Sequence, residues 1–291
     1  SVEICVIAEP IDPCTIQAED CMVLTIAPSQ LISIPAGWSG ISGYIQPFDS
    51  DIETVMAPVI DELILMYNPI SGIFAPDYNI NSLGNWNSQE GYVIKVSNSV
   101  ELNICGNPLA GNSIELTDGW NLVPVTVEGS VAVADAVADI SDELIIVKEV
   151  AGYLMYYPDY GIQTLTDFES GRAYFIKVNA GCTITFPVEA MKTGSIHHKP
   201  QRENITPWND VIFTPGSHIF VLHKKITTNF HEGDVIGAFN QNGRCAGWKK
   251  KKKTGEQAAL TVHAVDPYDA SDIGFTENET ITFKLYRPSS G

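Results

Sequence analysis

Three aspartates, Asp266, Asp269 and Asp272, fall at every third position near the end of the chain. Carboxylate oxygens are hard donors, so this loop, with Asp234 as a further ligand, is where a calcium ion would sit. The spacing is not that of an EF-hand, which takes ligands at alternate positions and a glutamate at the twelfth. The competing reading is a turn-rich loop in which each aspartate accepts hydrogen bonds from nearby backbone N–H groups. No other cofactor is indicated.

Histidine is confined to the last third of the chain, at His197, His198, His218, His223, His231 and His263. This excludes histidine acid–base or triad chemistry from everything that precedes His197. His197-His198 would need further ligands to hold a metal, because adjacent side chains rarely converge on one ion. Asp61-Glu62 resembles a catalytic carboxylate pair, yet it returns as Asp142-Glu143. Paired glycosidase carboxylates must face each other across a cleft, so a pair kept in both copies of a duplicated unit reads as a polar helix-to-strand turn. The six cysteines, Cys5, Cys14, Cys21, Cys105, Cys182 and Cys245, form no Cys-x-x-Cys and so no zinc ribbon or thioredoxin-type site. Cys5, Cys14 and Cys21 crowd the N-terminal end, where a disulfide is open to any pair in a secreted protein. With no convergent set of titratable groups, the expectation is a chain that is not an enzyme.

The remaining chemistry is that of association. Lys249, Lys250, Lys251, Lys252 and Lys253 form the only long charge run, after Cys245-Ala-Gly-Trp248. It reads as a solvated hairpin tip that, with Arg244, would attract an acidic neighbour, an attraction that salt screens. Residues 1–190 carry 25 acidic and 4 basic side chains, a net of −21, whereas residues 191–291 carry 10 and 13, a net of +3. The acidic part repels nucleic acid and anionic lipid, and the asymmetry favours head-to-tail association. Val2, Ile4 and Val6 alternate along an apolar strand that would suit a neighbour's sheet edge. Tyr78, Trp86, Tyr156, Tyr157 and Tyr160 could stack on a glycan, although aromatics in matched repeat positions more often fill a core.

The elements that carry these residues come from a duplication. Pro76-Asp77-Tyr78 returns as Pro158-Asp159-Tyr160, and Tyr92–Val96 falls on Tyr174–Val178 in the same register. Gly37-Trp38 falls on Gly119-Trp120 and Trp86 on Phe168, again in that register, while Asp61–Ile64 falls on Asp142–Ile145 at a spacing shorter by one. Such self-similarity means two copies of one unit. In the first, Ile52, Val55, Met56, Val59, Ile60 and Leu63 follow helical periodicity, with Ser50 and Glu53 as a capping box and Pro58 as a kink or split. In the second, Ser130 would cap a short helix through Ile140. The other apolar runs alternate as strands. The predicted fold is mainly β: an extended segment over 1–27, repeat modules over 28–108 and 109–190, each with one short helix, a linker over 191–206, and a β-sandwich over 207–291. No apolar run approaches the roughly 20 residues of a spanning helix. Opening on Ser1-Val-Glu-Ile-Cys without a signal peptide, the chain is expected to be a processed or excised segment.

The pattern Gly-Trp-Asn-Leu, a helix, Asp-Glu-Leu-Ile-Ile, a Pro-Asp-Tyr turn and Tyr-Phe-Ile-Lys-Val resembles tandem surface modules of large secreted Bacteroidetes proteins, often cargo of the type IX secretion route. The stretch Gly233–Phe239, with Gly243-Arg244-Cys245-Ala246-Gly247 and Ile281–Leu285, resembles a module near the C-terminal ends of the same proteins. The resemblance spans roughly residues 28–291 and implies extracellular display, spacing or adhesion, with no catalytic residues to carry over. The expected function is that of a non-catalytic cell-surface scaffold, stalk or filament subunit. The alternative is an adhesive region that binds protein or carbohydrate. Partners would be copies of itself, other surface proteins or a glycan.

Overall fold

The structure, a computed structural model, describes residues 2–8, 18–24, 27–187, 208, 210–222, 229–251 and 258–288, the first two stretches by their backbone alone. The fold is mainly β, as the alternating apolar runs require. In the N-terminal segment β1 (Val2–Ala8) and β2 (Ala18–Leu24) pair antiparallel, with Cys5 opposite Cys21.

The first repeat contains β3 (Ser29–Ile34), β4 (Gly37–Ile41), β5 (Ile45–Pro47), α1 (Ile52–Met56), β6 (Leu63–Asn68), β7 (Gly72–Ala75), β8 (Ile80–Asn81), β9 (Tyr92–Val96) and β10 (Val100–Pro108). The second contains β11 (Ser113–Leu116), β12 (Gly119–Pro124), β13 (Ser130–Ala132), α2 (Val133–Ala136), β14 (Leu144–Glu149), β15 (Met155–Tyr157), β16 (Ile162–Gln163), β17 (Asp167–Glu169), β18 (Ala173–Val178) and β19 (Cys182–Thr185). Each repeat is built on a five-stranded antiparallel sheet of the same order, β4-β9-β6-β7-β8 and β12-β18-β14-β15-β16. Both sheets carry a register shift at equivalent places, between Leu63 and Leu65 and between Leu144 and Ile146. The inner face of the first sheet packs under α1 and the β3/β10 pair, burying Ile32, Met56, Met66, Trp86 and Ile94 together. In the second, Val133, Ile140, Val147, Phe168 and Ile176 form the matching core.

Two local expectations are corrected, and the break at Pro58 is borne out. Asp51, not Ser50, caps α1, its Oδ1 accepting from Glu53 N and Thr54 N at 2.9 and 3.1 Å. Asp is as good a cap as Ser, and here it lies directly before the first helical residue. Pro58 does split the helix: α1 gives way to a 3-10 turn over Ala57–Glu62, which tolerates a proline in its first turn. Ser130 lies in β13, and α2 starts after Ala132 with no side-chain cap.

The duplicated Pro-Asp-Tyr is a 3-10 turn in both copies, closed by a left-handed residue, Asn79 (φ 56°) or Gly161 (φ 62°). Only glycine and asparagine adopt this conformation readily, which explains Asn in one copy and Gly in the other.

Among its described residues the third module has two small sheets. One pairs β20 (Ser217–Leu222) with β23 (Ala258–His263), and the other orders β22 (Cys245–Lys250), β21 (Val235–Phe239) and β24 (Thr282–Tyr286) with β21 central. They pack face to face on Ala238, Leu260 and Val262 as a sandwich. Among the described residues no helix is long and apolar enough to cross a membrane.

The modules are not strung out singly. The two repeats meet where β4, an edge strand, runs against the start of β18. Ile41 bridges Arg172, and Ser42 N–H donates to Gly171 O at 3.1 Å. A side chain at Gly40 would collide with Ala173 O and Val150 Cγ2. The corresponding residue of the second copy is Leu122, so the copies differ where they touch.

Candidate functional site

The outer face of each five-stranded sheet is the surface that its own core leaves uncovered. Strand alternation puts Trp38 on β4, Val93 and Lys95 on β9, and Leu65 and Tyr67 on β6 on that face in the first repeat. Trp38 and Lys95 are direct cross-strand partners. The loop after β23 of the third module descends onto them.

Asp266 is the centre of this contact and is only 3% exposed. Its Oδ2 accepts from Lys95 Nζ at 2.6 Å and from Trp38 Nε1 at 2.8 Å, and its Oδ1 accepts from Tyr268 N at 3.0 Å. The Tyr268 ring lies 6.0 Å from Trp38, and the Lys95 ammonium sits 5.3 Å from the indole and 5.5 Å from the phenol. Burial pushes the Asp266 carboxyl up, but the hydrogen bonds and the Lys95 charge outweigh it and hold it below the usual carboxylate range. A buried charge is tolerable only when paired and hydrogen-bonded, and this one has both.

The third module also covers part of the second repeat's outer face. Ile219 and Ala259 pack on Ile146, Met155 and Ile162. Lys148 takes the position of Tyr67 and donates to Ser217 Oγ at 2.7 Å. Burial drives the Lys148 ammonium down to about 8, with Glu149 opposing the shift.

The three aspartates whose spacing suggests a calcium ion are thus engaged separately. Asp266 holds Lys95 and Trp38, Asp269 Oδ1 accepts from Ser271 N at 2.8 Å, and Asp272 pairs with Arg244 Nε at 3.3 Å. Asp234 is gripped by Arg287, with Nη2 to Oδ2 at 2.9 Å. Among the described residues no group of three or more His, Cys, Asp or Glu is placed to hold a metal ion. His197, His198 and His223 lie outside the described residues.

The lysine run is not a free tip at its start. Lys249 and Lys250 belong to β22, opposite Ile236 and Val235, and Lys251 is buried with its N–H on Asp234 O. Lys252 and Lys253 lie outside the described residues. Val2, Ile4 and Val6 pair with Leu24, Met22 and Asp20 of β2 within the chain, so β1 has one edge already taken.

Asp61-Glu62 closes the 3-10 turn ahead of β6, and Glu62 accepts from Ser97 Oγ and from Asn98 Nδ2. Of the aromatics weighed for glycan stacking, Trp86 is wholly buried and its ring is out of reach, whereas Tyr78 and Tyr160 are exposed at the Pro-Asp-Tyr turns. A cleft of about 370 Å³ opens between the repeats, lined by Ser39, Glu149, Thr164, Asp167, Glu169 and Arg172 among others. Ser39 Oγ is buried there without a hydrogen-bond partner among the described residues.

The Trp38–Lys95 receptor is visible in the sequence only as a repeat marker. One signal could have singled it out. The two repeats hold just 4 basic residues, Lys95, Lys148, Arg172 and Lys177, and a rare cation in an acidic region is worth tracing.

Compared with family models, curated proteins and solved structures, the chain matches none.

Proposed function

We propose that the chain is a non-catalytic structural protein of the cell surface or extracellular space, a scaffold, stalk or filament subunit. The observation that carries this reading is the use made of its chemically conspicuous side chains. Lys95, Trp38 and Asp266 join the first repeat to the third module, Lys148 joins the second repeat to it, and Ser42, whose Oγ accepts from Val125 N–H, joins repeat to repeat. Side chains committed to such contacts rigidify one module against another, which suits a spacer more than a turnover site. The resemblance to secreted Bacteroidetes modules supports the same reading and its extracellular setting.

Negative-stain electron microscopy and sedimentation over a wide concentration range test it. Linear assemblies, or rods with a constant module spacing, are expected. A chain that stays a lone monomer at the highest concentration and shows turnover on glycan or peptide libraries would overturn it.

A second reading, a glycan- or protein-binding region of a larger secreted protein, is favoured by the cleft between the repeats and by the exposed Tyr160, which packs against Tyr157 at 4.6 Å. A glycan array compared between the wild type and Tyr160→Ala separates the two readings.

A further inference from the structure

The duplication supplies two copies of the Trp–Lys receptor, and among the described residues only the first is filled. Trp120 and Lys177 stand at the positions of Trp38 and Lys95 in the repeat register. They are cross-strand partners on β12 and β18, as Trp38 and Lys95 are on β4 and β9. Trp38 is 8% exposed under the Asp266–Tyr268 loop, while Trp120 is 50% exposed. Lys177 Nζ lies 5.8 Å from the Trp120 ring, the same cation–indole arrangement as Lys95 on Trp38. Among the described residues, Trp120 Nε1 has no acceptor and Lys177 no carboxylate.

Charge points the same way. Of the four basic residues in the two repeats, Lys95 and Lys148 reach the third module and Arg172 lies at the repeat junction. Lys177 is the fourth. The second receptor is also more cationic than the first. Lys148, in the place of Tyr67, holds its ammonium 5.7 Å from the Trp120 ring and 5.1 Å from Phe175, the counterpart of Val93. An indole N–H donor beside two ammonium groups selects a carboxylate, and the exposed indole face adds area for an aromatic ring.

We propose that the Trp120–Lys177 face of the second repeat docks a loop of a partner protein that presents an aspartate and, two residues on, a tyrosine. This is the chemistry of Asp266-Pro267-Tyr268 on the first repeat. The carboxylate bridges Lys177 Nζ and Trp120 Nε1, and the phenol lies against the indole. The inference stands on the duplication and holds whether or not the chain is a scaffold.

The chain's own loop supplies the probe. Its ends are already close, since Ala264 bridges Phe275 and Val265 N–H donates to Phe275 O. A cyclised peptide of residues 264–275 therefore imitates it. The full chain, labelled with nitrogen-15, shows one indole signal for each of its 5 tryptophans, and Trp120→Phe assigns the one of interest. On adding the peptide to millimolar excess, the Trp120 indole signal should move and saturate while that of Trp38, already engaged, stays put. Lys177→Gln, or a peptide carrying Asp266→Asn, should weaken the response about tenfold, the usual worth of a charge-assisted hydrogen bond. Unmoved signals from the other four indoles show that Lys177→Gln is folded. No movement at Trp120, or equal movement with the Asp266→Asn peptide, would overturn the proposal. So would self-association abolished by Trp120→Ala, which would give the face to a second copy of the chain.

Discussion

Replacing Lys95 by methionine removes one charge from the contact between the first repeat and the third module and keeps most of the side chain's apolar stem. Asp266 is then a carboxylate 3% exposed, held by two N–H donors and no cation. Breaking a buried pair from one side costs about 3–5 kcal/mol, because the remaining charge is left uncompensated. Asp266→Asn strands the Lys95 ammonium instead and should cost about as much. With both replaced no orphan charge remains, so the double variant should lose less than the sum of the singles by about 2 kcal/mol or more. Urea unfolding followed by tryptophan fluorescence measures all four proteins, and Trp38 reports directly on the contact. Since the Asp266 carboxyl is held below its ordinary value, its contribution is complete above the unfolded-state value of about 4 and is lost as pH falls through the lower folded value. Wild type should therefore lose more stability below about pH 4 than Asp266→Asn does. Single-variant losses under about 1 kcal/mol, or strict additivity in the cycle, would refute the idea that this pair clamps the modules.

Three further outcomes are expected. Burial depresses Lys148 to about 8, so the folded state is penalised below that pH. The penalty lifts as pH rises toward the unfolded value, and wild type should gain up to about 3 kcal/mol between roughly pH 8 and 10.5 relative to Lys148→Met in the same unfolding assay. Gly40→Leu installs the residue of the second copy where the repeats touch, and should cost about 1–3 kcal/mol of overpacking, with faster hydrogen exchange in β4 and β18. Asn79→Val and Gly161→Val should each cost about 1–2 kcal/mol by thermal melting, while Asn79→Gly stays near neutral, because both positions are left-handed.

The clamp also explains why aspartates at a calcium-like spacing are engaged one by one. A cluster read from spacing assumes that the side chains turn toward one point. Here Asp266 turns toward another module, Asp269 to its own turn and Asp272 to Arg244. The lysine run misleads for a related reason. Five like charges suggest a solvated loop, but Lys249 and Lys250 continue a strand whose apolar partners lie in β21.

What the sequence determined by itself is the unit: two copies, mainly β, each with one short helix, the first interrupted at Pro58, a Pro-Asp-Tyr corner, and Trp86 and Phe168 in equivalent cores. These are local or duplicated properties, set by alternation, by proline's missing N–H and by the few residues that accept a left-handed backbone. What only the tertiary structure decided is how the units meet. Lys95 and Asp266 are 171 residues apart, and Gly40 and Ala173 come from different copies. No period or spacing joins such positions, because their proximity depends on which sheet face each core leaves open and on which neighbour closes over it.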